Sequence, residues 1–139
     1  MGDPGPKSFE NDAAIDWVSE LAESKGYAGV AGALDAVIAD KADYLDADVC
    51  QEGIAAAEIV AAAAGAPAPE LPAEVTGWIK GQAKPDAALI AKAIDVTAAV
   101  REKSELREHW EDSDAFAAWN AAMDDLKVRL DVAKSGKAA

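Results

Sequence analysis

Cysteine, histidine, aromatic side chains and positive charge are all scarce in this chain of 139 residues, and each shortage closes off a class of chemistry. The one cysteine, Cys50, can form no intramolecular disulfide and no cysteine-rich zinc site, which points to a reducing compartment. The one histidine, His109, has no second imidazole to join in a metal centre, and no pair of Glu-x-x-His motifs exists for a di-iron bundle. Lys and Arg number 13 against 26 Asp and Glu, for a net charge of -13. That balance argues against nucleic acid or an anionic membrane as a direct electrostatic partner. Long apolar runs are also missing. The longest uncharged one, residues 59–69, contains Gly65 and two prolines and falls well short of the roughly 20 residues of a membrane span. The first twenty residues include Asp3, Glu10, Asp12, Asp16 and Glu20, with no basic flank leading into an apolar segment. No secretory signal is visible there, and a cytoplasmic protein is expected.

What fills the chain instead is alanine, at 35 positions, so the apolar content of 51% rests on small methyl groups. Such a composition suits closely packed helices, and the length suits one domain. Gly2, Pro4, Gly5 and Pro6 predict an irregular arm over residues 1–10. From Asn11, a good cap residue, Ala14, Trp17, Val18 and Leu21 recur at helical spacing, and Lys25–Gly26 supplies a stop. A second helix is predicted over residues 27–39, where Gly29 and Gly32 suggest a closely packed neighbour. A third starts at Asp46 and ends at Gly65, and a short fourth runs from Pro72 to Gly81. The fifth, residues 85–103, is apolar over a wide arc and is expected to be central. Ser104 opens a stretch holding Leu106 and Trp110, and Asp112, Ser113 and Asp114 break it. The last helix carries Phe116, Trp119, Met123, Leu126 and Leu130, with Asp125 placed to pair with Arg129. No strand pattern appears. The prediction is an all-α protein: a single compact bundle of six or seven helices over residues 11–134, preceded by the arm and followed by a frayed tail over 135–139.

Charge is unevenly spread: residues 1–66 carry -10, residues 67–103 are neutral and residues 104–139 carry -3. The densest acids are Asp40, Asp43, Asp46, Asp48 and Glu52, a candidate interaction surface for a basic protein. No frame of this stretch fits a calcium loop. Ser104, Glu105 and His109 form an alternative candidate, a carboxylate-lined pocket of a small enzyme or ligand-binding domain; a metal patch of Glu105, His109 and Asp112 is a weak signal, and no metal or cofactor is expected. Cys50 lies among carboxylates that raise a thiol pKa and reads as a small buried hydrophobe. The four tryptophans read mostly as core anchors, and the Met123, Leu126 and Leu130 stripe makes homo-oligomerisation through the C-terminal helix a further reading.

Several segments together resemble a bacterial family, domain of unknown function 4259: residues 2–12, Tyr44-Leu45-Asp46-Ala47, Ala57-Glu58-Ile59-Val60, Ser104-Glu105-Leu106-Arg107-Glu108 with Trp110, and the closing Trp119, Ala121, Ala122, Asp124, Asp125 and Leu126. Members of that family begin with an arm rich in glycine and tryptophan that leads into Phe, an acid, Asn and Asp, matched here by Phe9, Glu10, Asn11 and Asp12. Pro4 stands where a tryptophan is usual. The resemblance implies a helical fold and assigns no activity. Within it, Phe9 is expected to dock in the core and Asn11 or Asp12 to cap the first helix.

Overall fold

A computed structural model describes Phe9 and residues 11–40, 44–68 and 71–135. Among these residues there are seven helices and no strand: α1 (Asp12–Leu21), α2 (Ala28–Asp40), α3 (Ala47–Ala63), α4 (Ala73–Lys80), α5 (Ala87–Glu102), α6 (Glu105–Glu111) and α7 (Phe116–Ser135). None of these helices is long and apolar enough to cross a membrane.

Side-chain oxygens start four of the helices. Asn11 Oδ1 accepts the Ala14 N–H at 2.7 Å, and Asp46, Asp86 and Ser104 cap α3, α5 and α6 in the same manner. Phe9 packs half-buried against the core, so the end of the arm is anchored. Helix α1 stops at Leu21, earlier than Lys25–Gly26, because the N–H groups of Glu23 and Ser24 turn back three residues and Ser24 Oγ donates to the Leu21 carbonyl at 2.7 Å. Gly26 (φ 78°) and Gly65 (φ 101°) take the left-handed turns that follow α1 and α3. Helix α7 extends through Ser135, one residue beyond the expected boundary, and residues 136–139 lie outside the described residues.

The centre of the bundle is α3, not the expected α5. Every residue from Gly53 to Ala61 is buried, and α3 touches all six other helices. Its run of Ala55, Ala56 and Ala57, each fully buried, explains why: small side chains around the whole circumference let neighbours approach from every side. The tightest approach is to α2, where a methyl group on Gly53 would stand 2.5 Å from Val37 Cγ2. The expected close packing at Gly32 is absent, since a side chain there would enter open space, while one at Gly29 would meet only Leu21 Cδ1 at 3.2 Å. Helix α5 lines one side of α3 with Ile90, Ala93, Val96, Thr97 and Val100, and α7 closes the bundle with Trp119, Met123, Leu126 and Leu130. That α7 stripe faces the core and is therefore unavailable as a surface for self-association. Trp17, Trp78, Trp110 and Trp119 are all buried core anchors.

A buried ion pair ties α7 to α3. Arg129 sends two guanidinium nitrogens to the two carboxylate oxygens of Glu58, at 2.8 and 3.1 Å, and its Nε to Asp125 at 2.8 Å. The Asp125 contact is the helical pair expected from the sequence. Glu58, with its side chain only 6% exposed, was hidden within an apparently apolar segment.

Candidate functional site

The turn entering α3 brings together two regions that look separate in the sequence. Glu105, at the start of α6, accepts the Ala47 N–H through Oε1 at 2.7 Å and the Tyr44 hydroxyl through Oε2 at 3.1 Å. The same hydroxyl lies 3.4 Å from Glu108 Oε1, one helical turn on. The Glu105 N–H donates to the Leu45 carbonyl at 2.9 Å, so backbone and side chain together clamp α6 against residues 44–47. Tyr44 is 57% exposed, yet its hydroxyl is held at its tip. Desolvation of that hydroxyl, with the bonds to and charges of Glu105 and Glu108, pushes its pKa up to about 12.

Further acids lie at the start of α3. Asp46 accepts the Asp48 N–H at 2.9 Å as the helix cap, and Asp48 and Glu52 lie one turn apart on the same helix. Partial burial, then the charges of Asp48 and of Glu20 on α1, raise the Glu52 pKa above the ordinary carboxylate value. Glu20, Asp48 and Glu52 thus share one region of negative potential. None of the ion pairs among the described residues engages Glu20, Asp46, Asp48, Glu52, Glu105 or Glu108. Asp40 is half-buried at the end of α2, while Asp43 and Glu10 lie outside the described residues. Asp12 is an exposed first-turn residue of α1, and Asn11 is the buried cap before it.

The Ser104, Glu105 and His109 trio is divided among different tasks. Ser104 is buried; its Oγ donates to the Val100 carbonyl at 2.7 Å and accepts the Arg107 N–H at 3.0 Å. His109 is exposed with its ring edge-on to Trp110, and no hydrogen bond or ion pair among the described residues joins it to Ser104 or Glu105. No group of three metal-ligating side chains forms among the described residues. Cys50 is fully buried behind the Asp46 turn. Burial above all, with smaller contributions from Asp46 and Glu105, drives its thiol pKa up to about 12, against hydrogen bonds from Ser104 and the Leu106 backbone. It is a packed small side chain rather than a nucleophile.

The sequence places Asp46, Asp48 and Glu52 in an acidic surface and Glu105 in a separate pocket with Ser104 and His109, and gives no part in either to Tyr44, Glu108 or Glu20. Tyr44 carries a local signal, an aromatic next to a helix cap, whereas its link to α6 spans 61 residues.

No curated protein and no solved structure matches this chain. The family described as Domain of unknown function (DUF4259) matches over residues 2–122, from the arm through α6 into the first turns of α7. The chain belongs to the DUF4259 family, in agreement with the resemblance carried by its arm, its Tyr44-Leu45-Asp46-Ala47 segment and its Ser104–Trp110 helix.

Proposed function

We propose that this protein is a non-enzymatic, acidic helical interaction module that presents the Tyr44, Asp46, Asp48 and Glu52 face to a basic protein partner in the cytoplasm. Small immunity proteins and antitoxins that neutralise cationic toxins have this physical profile, and complementary charge speeds such associations. The observation that carries the reading is the exposed Tyr44 ring, anchored at its hydroxyl by Glu105 and Glu108, carboxylates that take part in no ion pair among the described residues. Anchored aromatics lose little side-chain freedom on binding and are enriched among residues that dominate interface energies. A carboxylate-lined pocket receives less support, because Ser104 is engaged as a buried cap and His109 stands exposed on the outside of α6.

The test is paired affinity capture with the natural protein and a Glu20→Lys/Asp48→Lys/Glu52→Lys variant, leaving the Asp46 cap in place. The natural protein is expected to retain a stoichiometric basic partner that is released by salt, and the variant to lose it. Equal recovery by both proteins, or no stoichiometric partner at low salt, would overturn the reading.

A further inference from the structure

A second region differs in sign from the acidic face. Between the N-terminal ends of α2 and α5 lies a cleft of about 470 Å³, within the range of about 300–1,000 Å³ usual for small-molecule sites. Its walls are largely apolar, with Tyr27, Ala31 and Leu89 among them, and Lys84, Lys92 and Asp86 stand at it. Two lysines at one cleft are notable in a chain with twice as many acids as bases.

The cleft is set in place by bonds from the loop before α2 to α4 and to the loop between α4 and α5. The Tyr27 hydroxyl donates to the Ala83 carbonyl, the Gly26 N–H to Gln82 Oε1 at 2.8 Å, and Trp78 Nε1 to the Ser24 carbonyl at 2.9 Å. The Tyr27 ring also meets Trp78 edge-on, with centroids 5.8 Å apart. These contacts fix the wall before any ligand arrives, which lowers the ordering cost of binding. The cations are placed differently. The Lys92 ammonium is tethered by Asp35 on α2 at 2.7 Å, whereas Lys84 takes part in no ion pair among the described residues. Asp86 Oδ1 accepts the Leu89 N–H at 2.8 Å as the α5 cap, and its charge opposes an anion. The first turn of α2 holds no acid, so its end of the helix dipole adds to the lysines.

We propose that this cleft binds a small organic anion with an apolar body, such as an aromatic or branched aliphatic carboxylate, with its charge at Lys84 and its body against Tyr27, Ala31 and Leu89. The proposal is independent of the acidic face around Tyr44. An apolar wall selects the body, and an ammonium group engaged in no ion pair among the described residues selects the head.

Three probes with the same ring separate the contributions: benzoate, benzyl alcohol and benzylamine, titrated into the labelled protein and followed by amide and methyl NMR shifts of Tyr27, Ala31 and Leu89. Benzoate is expected to produce saturable shifts confined to the cleft and to bind more tightly than the alcohol or the amine. Lys84→Glu should weaken benzoate roughly tenfold. Asp86→Asn keeps a capping side chain while removing the charge, and should tighten it. Because that variant retains the cap, it also guards against confusing loss of binding with loss of fold. No saturable shifts with benzoate, tighter binding of benzylamine, or opposite or absent responses in the two variants would overturn the proposal.

Discussion

Arg129 and Glu58 form a two-pronged ion pair across 71 residues, with side chains only 13% and 6% exposed, and it fastens the last helix to the central one. Removing one member of such a pair leaves a charge in a poorly solvated place, whereas replacing both with apolar side chains removes the problem. Arg129→Met is expected to destabilise the protein by about 3 kcal/mol. Glu58→Leu/Arg129→Met should recover most of that loss. Urea unfolding of both variants measures the difference, and equal stability of the single and double variants would contradict it.

The contact at Gly53 sets a steric limit on the approach of α2. A methyl group there would lie 2.5 Å from Val37 Cγ2, so Gly53→Ala should destabilise by about 1–3 kcal/mol despite alanine's better helix propensity. Combining it with Val37→Ala is expected to give less than the sum of the two losses, because the clash disappears. Gly32→Ala is the contrasting case: it meets open space in the same helix as Val37 and should stabilise by roughly 0.5–1 kcal/mol. Thermal melts of the two single variants, their combination and Gly32→Ala test the prediction.

Glu52 makes the acidic face destabilising in a pH-dependent way. Its folded pKa is raised by burial, Asp48 and Glu20, so the folded state holds the proton more tightly than the unfolded chain. The resulting loss of stability accrues as pH rises from the ordinary carboxylate value through the raised one and is complete above it. Relief of the Asp48–Glu52 repulsion alone is worth roughly 0.2–0.5 kcal/mol. Glu52→Gln should therefore be more stable than the natural protein at neutral pH, with the gap closing in acid. Stability curves at several pH values check this sign.

Tyr44 offers a direct spectroscopic reading of its carboxylate partners. The chain has two tyrosines; burial raises the pKa of Tyr27, and Tyr44 is pushed up to about 12. In a Tyr27→Phe protein, ultraviolet titration should find phenolate forming well above the ordinary value of 10.0. Glu105→Gln/Glu108→Gln should bring it back towards that value. Since the folded pKa is the higher one, the contribution of Tyr44 to stability is intact below the unfolded value and is lost as pH rises through the folded one.

Local features of this fold were legible in the sequence because they depend on neighbours a few residues away. Asn11 and Ser104 announce helix starts, Gly65 marks a turn, and Asp112-Ser113-Asp114 separates α6 from α7. The Asp125–Arg129 pair is likewise a matter of one helical turn. What could not be read is which helix lies in the middle. Alanine gives no periodic signal when a helix is buried all round, so α3 looked plainer than α5, whose larger Leu89, Ile90, Ile94, Val96 and Val100 spread over a wide arc. Glu58 looked like one acid among many until Arg129 arrived from the other end of the chain. The candidate site divides the same way: its acids were visible, but the tie between Tyr44 and Glu105 is a tertiary contact.

The position of α3 also governs the order of events during synthesis. This helix follows only α1 and α2 in the chain, but α4 through α7 must cover the rest of its surface. A nascent chain that has produced α3 therefore carries an alanine-rich rod still partly exposed to water. The bundle closes only once α7 has left the ribosome, so the early helices stay incompletely covered until the last one is made.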